Sequence, residues 1–203
     1  MKNSLIFRDM GMQLFSHVWE DMQRFTDDRH EHTQDEIWFV EHPPIYTLGL
    51  NADPAHILKA GNIPILKIDR GGQVTYHGPG QLIVYVMVDL QRSGSSIRSL
   101  VQALETAVIS AVSKYGVEAY ARRDAPGVYV SGQKLAAIGL RVRRSCTYHG
   151  LSVNVDMDLS PYQGINPCGF EDLEVTQLRN LNVKVDMLKL QKDMEAALKK
   201  ALL

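Results

Sequence analysis

Gln81–Leu90, QLIVYVMVDL, decides the fold class. It is the clearest strand in the chain, dense in β-branched residues with Tyr85 among them. Upstream, Ile65–Ile68 begins just after Pro64, and Glu36–Glu41 (EIWFVE) reads as a buried strand. Between Met12 and Phe25, Leu14, Val18, Met22 and Phe25 recur at three- and four-residue steps, the period of a helix, with a short strand near Ser4–Arg8 ahead of it. Downstream, Ser96–Tyr115 is the clearest helix. Leu100, Leu104, Val108 and Val112 share one face, serines precede it as N-caps and Gly116 follows at C′. Strand-like runs come next at Val117–Tyr120, Gly127–Val130, Lys134–Arg143 and Thr147–Val155, then an irregular stretch over Leu159–Leu181 and a last helix over Asp186–Leu202. Strands fill the middle and helices bracket it, without strict βαβ alternation. The pattern predicts an α+β fold, or a mixed sheet with helices on one side, and residues 1–203 form one domain.

Composition narrows the function. A chain of 203 residues can bury about 70% of its unfolded surface without staples. The net charge is -1 and no long basic run exists, which excludes nucleic-acid binding through a broad cationic face. No run approaches the ~18 apolar residues of a membrane span. Arg8 and Asp9 interrupt the N-terminus before a signal-peptide core could form. Two cysteines, Cys146 and Cys168, with no sign of export point to a reduced cytoplasmic protein. The seven histidines show no H-x-x-x-H spacing and the cysteines no C-x-x-C, so no metal site is expected.

The chemistry-bearing residues stand apart along the chain. Cys168 lies in Asn166-Pro167-Cys168-Gly169, a tight turn that presents a thiol rather than packing it, although a free cysteine is also a common apolar filler. The run Arg70-Gly71-Gly72-Gln73-Val74-Thr75-Tyr76-His77-Gly78-Pro79-Gly80-Gln81 lets backbone approach a ligand closely, yet matches neither phosphate-loop pattern. Taken alone it reads as a pair of tight turns joining strands. Lys134 opens an apolar strand, where a lysine serves either as a solvated edge charge or, held in an apolar pocket, as a base beside a thiol. Alternation puts Thr147, His149, Leu151 and Val153 on one strand face, with His149 a hydrogen-bonded polar residue or a histidine partner for a thiol. Asp124 closes a turn, and Arg141, Arg143 and Arg144 form a solvated basic face or a docking patch for an acidic partner.

In order, RGGQVTYHGPGQ, DAPGVYV, QKLAAIGLRV, TYHGLSVNV and INPCG resemble the lipoyl(octanoyl) transferase family over about Glu36–Leu178, and DEIWFVEHPPIYTLG resembles its early strand and loop. The resemblance implies the fold shared with biotin and lipoate ligases, a mixed β-sheet with flanking helices. It implies that an octanoyl (or lipoyl) group passes from acyl carrier protein to a lysine on lipoyl domains of 2-oxoacid dehydrogenase complexes and of the glycine cleavage H protein, through a Cys thioester and without ATP, metal or other cofactor. Cys168 then matches the nucleophile and Lys134 the lysine that favours its thiolate. Arg70, Gly71, Gly72, Gln73, Val74, Thr75, Tyr76 and His77 match the main substrate-binding run, and Ala137, Ile138, Gly139, Gly150, Leu151 and Ser152 two further substrate contacts. The alternative within the same fold is an ATP-dependent lipoate or biotin ligase. A non-catalytic carrier of acylated proteins and a cysteine hydrolase based on His149 or His77 remain as other classes.

Overall fold

A computed structural model describes residues 5–170 and 172–203. Its elements are β1 (Leu5–Met12), α1 (Phe15–Asp27), β2 (Asp35–Glu41), β3 (Ile45–Leu48), β4 (Ile65–Lys67), β5 (Val74–His77), β6 (Gln81–Met87), α2 (Leu90–Ser93), α3 (Ile97–Ser113), β7 (Tyr120–Ala121), β8 (Gly127–Val130), β9 (Gln133–Arg143), β10 (Cys146–Asn154) and α4 (Met187–Leu202). Of the strand expected at Ser4–Arg8, Ser4 lies outside the described residues, and β1 extends beyond Arg8 to Met12. Glu171, inside the expected irregular stretch, also lies outside them.

Seven strands form the main sheet in the order β1-β2-β6-β10-β9-β8-β7. Only β1 and β2 run parallel; the other pairs are antiparallel, so the sheet is mixed. The stretch Gln81–Met87 is unbroken by polar positions because both of its faces are covered. Leu82, Val84 and Val86 meet α3 and α4, while Ile83, Tyr85 and Met87 meet Phe15, Val18 and Met22 of α1. The expectation of helices on one side is therefore corrected: α1 covers one face and α3 with α4 the other. Each fully buried aliphatic side chain of these layers contributes about 1.5–3 kcal/mol. The Ser96–Ser99 capping box starts α3, and Gly116 at φ 77 follows its end.

A second sheet, β4-β3-β5, packs through Tyr46, Leu48, Val74 and Tyr76 against Met157, Tyr162 and Ile165. Its strand β5 falls inside the glycine-rich run, so that run is a loop, a strand and a turn rather than two turns alone. The strand expected at Val117–Tyr120 shrinks to Tyr120–Ala121 at the sheet edge. The end of the expected strand Gln81–Leu90 turns into α2, where Asp89 caps the new helix by accepting from Arg92 N at 2.9 Å.

Candidate active site

Cys168 is reached by a chain segment pinned on both sides. Ile165 bridges Ile57 before it, and Val175 bridges Lys134 after it. Lys134 N donates to Glu174 O and Thr176 N donates to Lys134 O, both at 2.9 Å. Between the two bridges the backbone turns sharply, with Cys168 at φ 58 and Gly169 at φ 79. A cysteine in the left-handed region is uncommon and costs strain, which the flanking bridges hold in place. The thiol is half-buried.

The Val175 bridge brings the two candidate residues together. Lys134 Nζ lies 3.0 Å from Cys168 Sγ. Lys134 is 4% exposed. Its ammonium also meets Pro126 O at 3.4 Å and sits 5.3 Å from the Tyr129 ring centroid. Burial by itself would lower the Lys134 pKa, but attraction and hydrogen bonding to the Cys168 sulfur outweigh it and the net shift is upward. Gly127 makes room for this side chain: a Cβ there would stand 2.6 Å from Ala136 O and 3.3 Å from Lys134 Cε.

Cys168 borders a cleft between the main sheet and the second one, about 520 Å³ with its open mouth included. Thr75 and His77 of β5 face Ala137 and Gly139 of β9 and Gly150 and Ser152 of β10 across it. Gly139 admits the Arg70–Gly72 loop onto the sheet, since a Cβ would lie 3.1 Å from Gly71 O and 3.3 Å from Arg70 Cδ. Gly71 N donates to Leu140 O at 3.0 Å and fixes that approach. Arg70 itself is buried. Its guanidinium donates only to neutral oxygens, Thr47 O at 2.7 Å, Thr47 Oγ1 at 2.9 Å and Gly71 O at 2.9 Å. Desolvation brings it down to about 10, partly offset by attraction to the Cys168 sulfur. His77 Nδ1 donates to Gln81 Oε1 at 2.7 Å, and burial depresses this imidazole to about 3, so it is neutral at pH 7.

Of the residues singled out in the sequence, Arg70 to Thr75, His77, Ala137 to Gly139, Gly150 to Ser152 and Cys168 all border this cavity. Tyr76 does not: it packs with Tyr46 and Tyr162 in the second sheet's core. Lys134 meets Cys168 in a narrower recess beside Ser152 and Tyr162. His149 departs from the expected alternation. At φ 59 it leaves the face of Leu151 and Val153 and turns to the side of its neighbour Tyr148, with which its ring stacks at 5.0 Å. Three cavity residues were not read from the sequence: Phe15, Ile83 and Tyr85. The signal for Tyr85 was present, as a polar-tipped ring in an otherwise aliphatic strand. Asp69, which binds His149, carried no signal beyond adjacency to Arg70. The basic hairpin tip is partly neutralised, with Arg143 bound to Asp27 at 3.0 Å, and Asp124 pairs with Arg122 at 2.5 Å. Among the described residues no three His, Cys, Asp or Glu side chains gather as metal ligands would, and no helix is long and apolar enough to cross a membrane.

The model of the lipoyl protein ligase A/B catalytic domain matches residues 16–199. An octanoyltransferase of Methylococcus capsulatus is 54% identical over 184 residues, covering 91% of this chain and 89% of its own. One from Pseudomonas syringae pv. tomato is 48% identical over 202 residues, covering 100% and 93%. Among solved structures, a bipartite lipoate protein ligase from Thermoplasma acidophilum superposes with a TM-score of 0.78 at 14% identity, covering 97% of this chain and 83% of that one. A biotin protein ligase from Aquifex aeolicus superposes with a TM-score of 0.58 at 11% identity, covering 100% and 69%. These two likenesses establish a shared mixed-sheet α+β fold.

Proposed function

The chain belongs to the lipoyl protein ligase A/B catalytic-domain family, and we propose that it is an acyltransferase that moves an octanoyl group from acyl carrier protein to a lysine of lipoyl domains. Residues 1–203 act as one catalytic domain in the cytoplasm. The observation that carries this reading is the 3.0 Å approach of Lys134 Nζ to Cys168 Sγ, with Cys168 also bordering the cavity between the two sheets.

The chemistry follows from that pair. A free thiol with pKa ~8.5 is only a few per cent ionised at pH 7. An adjoining ammonium in a partly dry recess favours the thiolate. Cys168 attacks the donor thioester carbonyl, a carbon–sulfur bond forms to Cys168, and the carrier's sulfur leaves with a proton from Lys134. Thioester exchange is nearly isoenergetic, so loading needs no ATP. The acceptor lysine arrives as an ammonium, its reference pKa being ~10.4. Lys134, now neutral, takes one of its protons; the amine attacks, the Cys168 thiolate leaves, and a second proton passes to solvent as the amide forms. The acyl chain lies in the cavity, where each buried methylene contributes about 0.8 kcal/mol. Arg70, Gly71, Gly72, Gln73, Val74, Thr75 and His77 form one wall of this binding site. Ala137 to Gly139 and Gly150 to Ser152 form the other, and Tyr76 supports the strand from behind.

The test is intact-mass measurement after incubation with octanoyl carrier protein in the absence of ATP. An octanoyl adduct that hydroxylamine removes, and that Cys168→Ser lacks, is expected, followed by transfer to a lipoyl domain. A requirement for ATP with full activity in Cys168→Ser would sink the reading in favour of a ligase.

A further inference from the structure

Glu105 is a buried acid that the proposed reaction leaves unused. It lies on the core side of α3, 7% exposed, beside Leu104 and one turn before Val108, both of the aliphatic layer. Glutamate is almost never buried this deeply unless it is paired. The ion pairs among the described residues do not include it. Its Oε1 instead accepts from Gly127 N at 3.0 Å, a bond that ties the helix to the first residue of β8.

That bond fixes one side of a turn whose other groups converge on Lys134. Ala125 O accepts from the Tyr129 hydroxyl at 2.8 Å, and Pro126 O accepts from Lys134 Nζ at 3.4 Å. The Tyr129 ring, fully buried, has its centroid 5.3 Å from the same Nζ. Tyr129 and Lys134 stand opposite each other in the β8–β9 register, which shifts between Val128 and Tyr129. The main chain of Lys134 is held separately, by its bridge to Val175. Its head is not held by that bridge. A flexible four-carbon stem separates the ammonium from the backbone, and it keeps one place only where its surroundings exclude the others. Gly127, at φ 139 and without a Cβ, is the loosest point of the turn that supplies those surroundings, and its amide is the group that Glu105 holds.

We propose that Glu105 is a positioning residue for the dyad: from α3 it fixes the turn that aims Lys134 Nζ at Cys168 Sγ. The proposal rests on the acyl-transfer reading of that pair. A proton carrier must stay within hydrogen-bond reach of its partner, and a displacement of about 1 Å is enough to cost much of its rate while the fold survives. Pro126 O and the Tyr129 ring both attract the ammonium to its present place. Without the Glu105 bond the turn that carries Pro126 O is free to shift, and Nζ shifts with it. The role calls for an acceptor oxygen at this position, not for a negative charge, so a glutamine amide serves as well.

The test compares Glu105→Leu and Glu105→Gln in the full chain, alone and combined with Lys134→Ala. Single-turnover acylation by octanoyl carrier protein is read by intact mass, and Cys168 reactivity by its iodoacetamide alkylation rate at pH 7. Glu105→Leu is expected to slow acylation about tenfold at saturating donor and to slow alkylation as well, while Glu105→Gln stays within about threefold of wild type. In the Lys134→Ala background Glu105→Leu should change alkylation by less than about twofold, because the side chain it positions is already gone. Wild-type rates in Glu105→Leu, whatever its melting temperature, overturn the proposal. So does an equal slowing with and without Lys134, which would mark a general packing defect, and so does a Glu105→Gln as slow as Glu105→Leu. If Glu105→Leu does not fold, Tyr129→Phe takes its place. It keeps the ring and removes the bond to Ala125 O, should slow alkylation several-fold only where Lys134 is present, and an unchanged rate there is equally fatal. Absence of any octanoyl adduct on the wild-type protein would instead remove the acyl-transfer premise, while the alkylation comparison would still report on the placement of Lys134.

Discussion

Cys146 and Cys168 are the same side chain in two opposed settings. Cys146 opens β10, 7% exposed, paired in register with Arg143 and bridged to Asp89, and burial pushes its thiol up. Cys168 stands on a left-handed turn between two bridged segments, half-buried, with an ammonium 3.0 Å away. A strand position packs a thiol and withholds it from solvent, and the nearby Arg29 and Arg92 do not offset that burial. A strained turn has no ladder to satisfy and aims its side chain outward. The difference between filler and nucleophile thus lies in backbone placement and one neighbour, not in residue type.

The largest effect that should divide the two thiols is substitution of Cys168 by alanine. Octanoyl transfer should fall by at least ~10⁴-fold, since no other group forms the covalent intermediate, and the mass adduct should vanish. An adduct persisting on Cys146 would erase the contrast. Lys134→Ala comes next. Losing a positioned proton carrier should slow both half-reactions by about 10²–10³-fold. The ammonium favours the anion of its neighbour, so without it iodoacetamide alkylation at Cys168 should slow at a fixed pH. A rate identical to wild type would show that the 3.0 Å approach has no electrostatic consequence.

Gly127→Ala tests the contrast more gently, because it substitutes neither dyad residue. A Cβ would meet Ala136 O at 2.6 Å and Lys134 Nζ at 3.5 Å, at a φ of +139 that favours glycine. We expect roughly 1–3 kcal/mol of lost stability by thermal melting and a fall in acylation rate of about tenfold as Lys134 is displaced. Unaltered acylation with lowered stability would mean that Lys134 reaches the thiol without the space this glycine provides.

Legibility in the sequence followed burial and locality. Gln81–Met87 could be read because two-sided burial writes an unbroken apolar run, and α3 because its stripe and capping serines are local. Strand β5 was hidden because glycines surround it and its partner β3 follows two prolines, so both look like loop until they pair. The thiol turn was legible from Pro167 and Gly169 alone. Its distance to Lys134 was not, because a bridge from Val175 creates it, across residues that share no periodicity. His149 misled strand alternation for a related reason. Asp69 and Tyr148 hold it in a left-handed conformation, and contacts between distant segments overrule the two-residue period.

The smallest effect belongs to Cys146→Ser. The side chain lies where β10 enters the sheet, and serine replaces sulfur with a smaller oxygen that still needs a hydrogen-bond partner, a cost of about 1 kcal/mol. Transfer rates should stay within about twofold, because Cys146 does not border the cavity that Cys168 borders. Alkylation kinetics make the comparison quantitative. At pH 7–8 both wild type and Cys146→Ser should show one fast-reacting thiol. A second, slower phase should emerge in wild type only as the pH rises above the ordinary cysteine range, since the raised Cys146 pKa keeps that thiol protonated below it. Cys146→Ser should lack the second phase and keep the first. Loss of the fast phase in Cys146→Ser would instead assign the reactive thiol to the strand, and the turn, the bridges and the lysine would then explain nothing about reactivity.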